Sequence, residues 1–216
     1  MSLQIILLQL CNGMLTSVEI FALTLIFSLP LGLLVTFGRM SKNVILRTVM
    51  RVYISVMRGT PLMLQLLVVF YGPYFIFGIN ISNDYRFSAV IIGFSLNYAA
   101  YFAEIYRGGI ESMPKGQYEA AKVLGYTRAQ TFCKIIFPQV IKRVIPPVTN
   151  EVITLIKDTS LAFALSVPEM FTNAKAIAAA EKTMTAFVAA GIFYYVFNLI
   201  VAVVMERVEK KLGYYR

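Results

Sequence analysis

The chain has 216 residues, of which 58% are hydrophobic and 14% charged, and its mean hydropathy is +0.71. A soluble domain carries roughly half apolar and a quarter charged residues, so a disordered chain, a secreted disulfide scaffold and a soluble cytoplasmic enzyme are excluded. One integral membrane domain over 1–216 is expected. The net charge of +9 reads as the Lys/Arg bias of membrane proteins rather than as a nucleic-acid surface. There is no His, hence no histidine triad, proton relay or His-ligated metal.

In chain order, Leu3–Leu10 is apolar but short, without the basic start or small-residue cleavage site of a signal peptide. It predicts a lateral helix lying along the membrane interface. Uncharged runs long enough to cross a bilayer lie between Glu19 and Arg39, Arg58 and Asp84, Arg86 and Glu104, and Lys182 and Glu206. They predict spans near 18–38, 52–79, 87–107 and 183–206. Glu19 reads as a snorkelling side chain at a span edge. A further apolar segment, 144–166, carries Glu151, Lys157 and Asp158, with Pro146 and Pro147 at its entrance. Counting it gives an all-α fold of five transmembrane helices. Fifteen Lys and Arg fall on one side of this topology and three on the other. The N-terminus is therefore expected outside and the C-terminus in the cytoplasm. Cys11 and Cys133 then face opposite sides, which argues against a disulfide or a thiolate metal site.

The longest connection, 108–143, is too polar to span. Lys115–Leu124 reads as a helix closed by Gly125; Thr127 opens a second helix, Arg128–Ile136, which Pro138 stops. No Gly-x-x-x-x-Gly-Lys-Ser/Thr string occurs, so the chain holds no phosphate-cradling loop. A transporter without a motor runs on a gradient or docks a motor. Glu119 reads as a capping or solvated residue.

Within this connection stand Glu119-Ala120-Ala121, three residues, Gly125, nine residues, Ile135, one residue, and Phe137-Pro138. The pattern resembles the EAA loop, here 111–140, of permease subunits of ABC importers, with Phe137 where the family has Leu. Arg58-Gly59-Thr60-Pro61, Asn97-Tyr98-Ala99-Ala100-Tyr101, Arg107-Gly108-Gly109-Ile110, Lys157-Asp158-Thr159-Ser160-Leu161 and Val167-Pro168-Glu169 resemble the polar amino acid branch, which includes histidine, glutamine and arginine permeases. The resemblance runs from about residue 13 to the end. It implies a type I importer permease fold in a bacterial inner membrane, with Glu119, Ala120, Ala121 and Gly125 forming a cytoplasmic coupling helix. It also implies two ATPase subunits that bind ATP and Mg, so that this chain holds no cofactor and is no enzyme. The implied partners are a second permease, either a copy or a related chain, and an external solute-binding protein.

Ionisable residues inside spans are candidate functional groups. Arg58 and Glu104 stand at comparable depth on neighbouring spans and read as an ion pair, first a gate or scaffold and second a ligand contact. Glu151 and Asp158 are seven residues apart, so two helical turns put them on one face. That acidic stripe suits a cationic substrate; the alternative is a structural network with Lys157. Asn97, with Tyr101 one turn on, needs partners at mid-span: other helices, or the carboxylate of an amino acid. Thr159 and Ser160 offer hydroxyls nearby, whereas Met57 and Met170 read as packing. The expected substrate is a basic amino acid (Arg, Lys or His), with glutamine the alternative. A gradient-driven transporter is the rival class, and it should show an internal repeat of broken helices that this sequence lacks.

Overall fold

The computed structural model describes residues 3–212, and among these the regular structure is helical throughout. The expected lateral helix does not exist as a separate element. Helix α1 runs unbroken over Leu3–Arg39, about 55 Å at 1.5 Å per residue, nearly twice a bilayer's hydrocarbon thickness. Its N-terminal turns are held by packing instead. A Cβ on Gly13 would lie 2.9 Å from the Met170 backbone, so Gly13 lets α1 meet α8 (Met170–Glu181) at van der Waals distance. Sequence reading had placed no helix at 170–181.

Along α1 the buried positions Gly13, Ser17, Thr24, Ser28, Gly32 and Thr36 recur at spacings of four or seven residues, one or two helical turns. Small residues in register let helix backbones approach where lipid supplies no hydrophobic drive. The stripe seats α1 on α4 (Tyr85–Glu111): a Cβ on Gly32 would stand 2.9 Å from Phe102 Cβ, and Thr36 Oγ1 donates to Ala103 O at 3.1 Å. Helix α4 is the central post. Its Phe94, Tyr98 and Phe102 fill a core with Ile20, Leu66 and Leu155.

The expected span 52–79 is two helices, α2 (Val44–Gly59) and α3 (Leu62–Phe77), bent by 114° at Thr60-Pro61. The break falls at Gly59-Thr60-Pro61, where the uncharged run begins, so the predicted span joins the charged α2 to the apolar α3. Pro61 has no N–H, which orphans the Met57 carbonyl one turn earlier. The side-chain amides of Asn97 and Gln65 donate to that carbonyl at 3.0 and 2.9 Å, and Asn97 Nδ2 also reaches Gln65 Oε1 at 2.9 Å. The bend is therefore a satisfied structure, as a break at membrane depth requires.

Helix α5 (Lys115–Val123) follows expectation. Pro138 and the Pro146-Pro147 pair do not. The three-residue α6 (Arg128–Gln130) passes through a π-helical stretch, Thr131–Ile136, into α7 (Phe137–Asp158), which carries all three prolines. Pro138 sits in the first turn of α7, where a missing N–H is harmless. Beyond Asp158 the chain tightens into a 3-10 helix, Thr159–Leu165, and turns at Ser166 with φ 56°. Helix α9 (Thr185–Leu212) closes the bundle. Among the described residues three helices are long and apolar enough to cross a membrane (α1, α4 and α9), or four with the bent pair taken as one. The charged α7 segment falls outside that apolar set.

Candidate functional site

A cavity of about 250 Å³ lies where the α2–α3 bend faces α4 and α7, lined by Thr60, Leu62, Asn97, Tyr98, Tyr101, Glu151, Thr154 and Asp158. Helical periodicity delivers Glu151, Thr154 and Asp158 to it from a single face of α7, as the seven-residue spacing predicts. Tyr98, 2% exposed, donates its hydroxyl to Asp158 Oδ2 at 2.7 Å and fixes that carboxylate. Neither Glu151 nor Asp158 enters an ion pair among the described residues.

The other lining groups are short of free donors. Thr60 Oγ1 donates to Val56 O at 2.8 Å and Thr154 Oγ1 to Asn150 O at 2.9 Å. Both hydroxyl protons are spent on backbone carbonyls; Thr60 Oγ1 also accepts from Gln65 Nε2 at 2.8 Å, whereas the Thr154 lone pairs remain. Asn97, 4% exposed, has committed its amide to the bend. The α7 side of the cavity thus presents two carboxylates and a hydroxyl oxygen, an acceptor set matched to a ligand rich in N–H donors. Arg58 does not line the cavity, but its guanidinium stands 5.2 Å from the centre of the ring of Tyr101, which does.

Several sequence candidates are placed elsewhere. Thr159 is fully buried and donates to Ile156 O at 2.8 Å; Ser160 donates to Lys157 O at 2.8 Å. Neither lines the cavity: one and two residues past Asp158, they fall off the face that Glu151 and Asp158 share. Glu104 does not line it either. It takes two bonds from Arg107, at 3.1 and 2.7 Å, whereas Arg58 Nη1 stands 3.8 Å away. The expected Arg58–Glu104 pair is present but secondary to one within α4, where Arg107 also bonds Glu111. Tyr98, Thr60, Thr154 and Gln65 were passed over. The signal for Thr154 was available, since it lies on the Glu151–Asp158 face, and Tyr98 and Thr60 stand inside strings already singled out.

A second polar site is the α5 element. Gly125 adopts φ 77°, and Tyr126 N–H closes on Ala121 O at 3.0 Å, a left-handed termination natural to glycine. Thr127 and Gln130 then form a reciprocal capping box. Gln117 and Gln139 exchange hydrogen bonds of 2.8 Å, which couples α5 to α7. Glu119 and Ala120 face solvent, but Ala121 is 1% exposed and packs inward. The tip instead projects Val123 and Leu124, 87% and 73% exposed. Apolar side chains held out by a polar segment mark an interaction surface.

Residues 28–214 match the family of binding-protein-dependent transport system inner membrane components, and the chain belongs to that family. It is a permease subunit of an ABC importer of amino acids, a transporter component rather than an enzyme, with the all-helical type I importer fold. Among its relatives, the L-cystine transport system permease protein TcyB of Bacillus subtilis is 38% identical over 95% of this chain and 87% of its own length. A putative glutamine transport system permease protein of Rickettsia bellii is 32% identical over 95% of this chain and 93% of its own. A crystal structure of an amino acid ABC transporter with histidines superposes with a TM-score of 0.85 at 29% identity, covering 94% of both chains. A gradient-driven mechanism is thereby set aside, and ATP hydrolysis falls to a separate ATPase subunit, with a binding protein on the outer side.

Proposed function

We propose that this permease carries an amino acid bearing a second cationic nitrogen: arginine, lysine or histidine. The acceptor-only face formed by Glu151, Thr154 and Asp158 carries this reading. The cationic nitrogen meets Asp158 and Glu151, while the α-carboxylate meets Arg58 and the Tyr101 hydroxyl across the cavity. Asn97, Thr159 and Ser160 have no free donor for that carboxylate. The relatives' names favour a second reading, cystine, whose two ammonium groups satisfy the same acceptors; glutamine fits less well because its amide is neutral.

The basic end of the bundle is taken as cytoplasmic, with the N-terminus outside. Glu119, Ala120, Val123 and Leu124 engage the ATPase, Ala121 and Gly125 shape the segment that presents them, and two ATPases serve two permeases. A second permease chain packs beside α2, whose exposed stripe Ile45, Val49, Val52 and Val56 has no cover within this chain. Reconstituted complex in liposomes, supplied with binding protein, tests the substrate by ATP-dependent uptake of arginine, lysine, histidine, cystine, glutamine and glutamate. Stimulation confined to substrates with a second cationic nitrogen is expected. Uptake of glutamine or glutamate alone would overturn the reading.

A further inference from the structure

Two cavities with charged walls lie at the end of the bundle away from the α5 element. Helices α4 and α9 both start at this end, at Tyr85 and Thr185, and run to the basic end, at Glu111 and Leu212. The first cavity, about 510 Å³, lies between α1, the start of α4 and the turn at Ser166–Pro168, and Glu19, Asp84 and Arg86 line it. The second, about 350 Å³, lies between α8 and the start of α9, and Lys175 and Lys182 line it. Helix α8, 12 residues or about 18 Å long, connects the two. Pro168, just before it, walls the first cavity, and Lys182, just after it, walls the second.

Glu19, Asp84 and Arg86 share one cavity, yet none of them enters an ion pair among the described residues. Asp84 and Arg86, two residues apart, do not face each other where a helix starts. Two carboxylates against one guanidinium leave this cavity negative. The second cavity has two ammonium groups and no carboxylate in its wall, and neither lysine is in an ion pair among the described residues. Lys175 lies 5.4 Å from the centre of the Phe163 ring. Lys182 closes α8 at φ 51°, a left-handed position where glycine is usual, so its ammonium is held there against backbone strain. Glu19, Asp84, Lys175 and Lys182 are all exposed. A single amino acid cannot reach both cavities, and the second permease has been assigned to the apolar stripe of α2. A protein face carrying the reverse pattern of charge spans them. We propose that the two cavities dock the external solute-binding protein, with a basic side chain entering between Glu19 and Asp84 and an acidic side chain meeting Lys175 and Lys182. Two signs at opposite ends of α8 admit one orientation of the partner. The proposal rests on the orientation given above, with this end outside. The docked partner bears on Ser166–Pro168, the far end of the 3-10 stretch that starts next to Asp158, so docking and the substrate cavity share one continuous stretch of chain.

The test uses the intact permease–ATPase complex in nanodiscs and the binding protein that supports uptake in the liposome assay above, with association followed by biolayer interferometry. Glu19→Lys with Asp84→Lys, and separately Lys175→Glu with Lys182→Glu, should each raise Kd about tenfold or more, chiefly through slower association. Wild-type affinity should fall steeply between about 50 and 300 mM salt, and less steeply in Lys175→Gln with Lys182→Gln. ATP hydrolysis in the absence of binding protein should match wild type, which a folding defect would not allow. Glu19→Gln with Asp84→Asn serves if a reversed pair does not assemble, and should raise Kd about threefold. Unchanged affinity in both cavities' variants, or weaker binding with an unaltered salt dependence, would overturn the proposal. So would loss of the permease pair in native mass spectrometry of the same variants, since a second permease chain then covers these cavities. Protease access to a tag placed after Arg216 in inside-out vesicles reads the orientation separately, so its failure is distinguishable from that of docking, and neither readout depends on which amino acid is carried.

Discussion

Asp158→Asn removes one negative charge from the cavity while keeping side-chain shape and an oxygen for the Tyr98 hydroxyl, now 2.7 Å from Oδ2. A cation about 4 Å from a carboxylate gains on the order of 4 kcal/mol at an effective dielectric of 20. The cavity opens to solvent and Asp158 is only partly buried, so screening lowers this to about 1.5–3 kcal/mol. Arginine affinity should therefore fall roughly tenfold to hundredfold. Glutamine has no second charge to lose, and its binding should change less than about threefold. Isothermal titration of purified permease–ATPase complex with each amino acid measures both, and thermal unfolding should stay unchanged because the Tyr98 bond survives. Equal losses for arginine and glutamine would show that Asp158 serves the scaffold. No loss for arginine would show that selectivity lies outside this cavity.

Leu124→Asp should detach the ATPase in pull-down while membrane insertion persists; Gly125→Val, which forces a β-branched residue into φ 77° at about 1–2 kcal/mol, should weaken the same docking. In a double-mutant cycle, Glu104 with Arg107 should show a coupling of about 1–3 kcal/mol, whereas Glu104 with Arg58, at 3.8 Å and 43% exposed, should show less than about 1 kcal/mol; equal couplings would reverse this ranking. A Cβ on Gly109 would collide with Val144 Cγ1, so Gly109→Leu should destabilise by about 1–3 kcal/mol, and Val144→Ala in the same chain should recover part of the loss in thermal unfolding.

Much of this was legible in the residues. Long uncharged runs gave the membrane class, and the Glu119–Pro138 spacing gave the family, because both signals are local. The seven-residue offset of Glu151 and Asp158 gave one shared face for the same reason. The failures are tertiary. Pro61 breaks the predicted span where α2 gives way to α3, Pro138 sits in the first turn of α7 after a π stretch, and Pro146 and Pro147 lie inside the same continued helix. Leu3–Leu10 looked detachable until Gly13 met Met170. Thr159 and Ser160 are near Asp158 in sequence only: both hydroxyls donate to backbone carbonyls of the preceding turn, away from the cavity.

The polar groups within the bundle divide by what their protons do. Asn97 and Gln65 repair the carbonyl that Pro61 orphans, so the Arg58–Pro61 string and Asn97 depend on one another although thirty-odd residues separate them. Replacing one amide leaves the carbonyl its other donor, whereas replacing both would leave it unsatisfied at membrane depth. Once those donors are committed, Tyr98 gives its proton to Asp158, and Thr60 and Thr154 give theirs to their own backbones. The α7 wall is left with lone pairs and negative charge. On the proposed reading, Glu151 and Asp158 draw the cationic end of a ligand to this wall, and the Arg58 guanidinium and the Tyr101 hydroxyl are the donors left for its carboxylate.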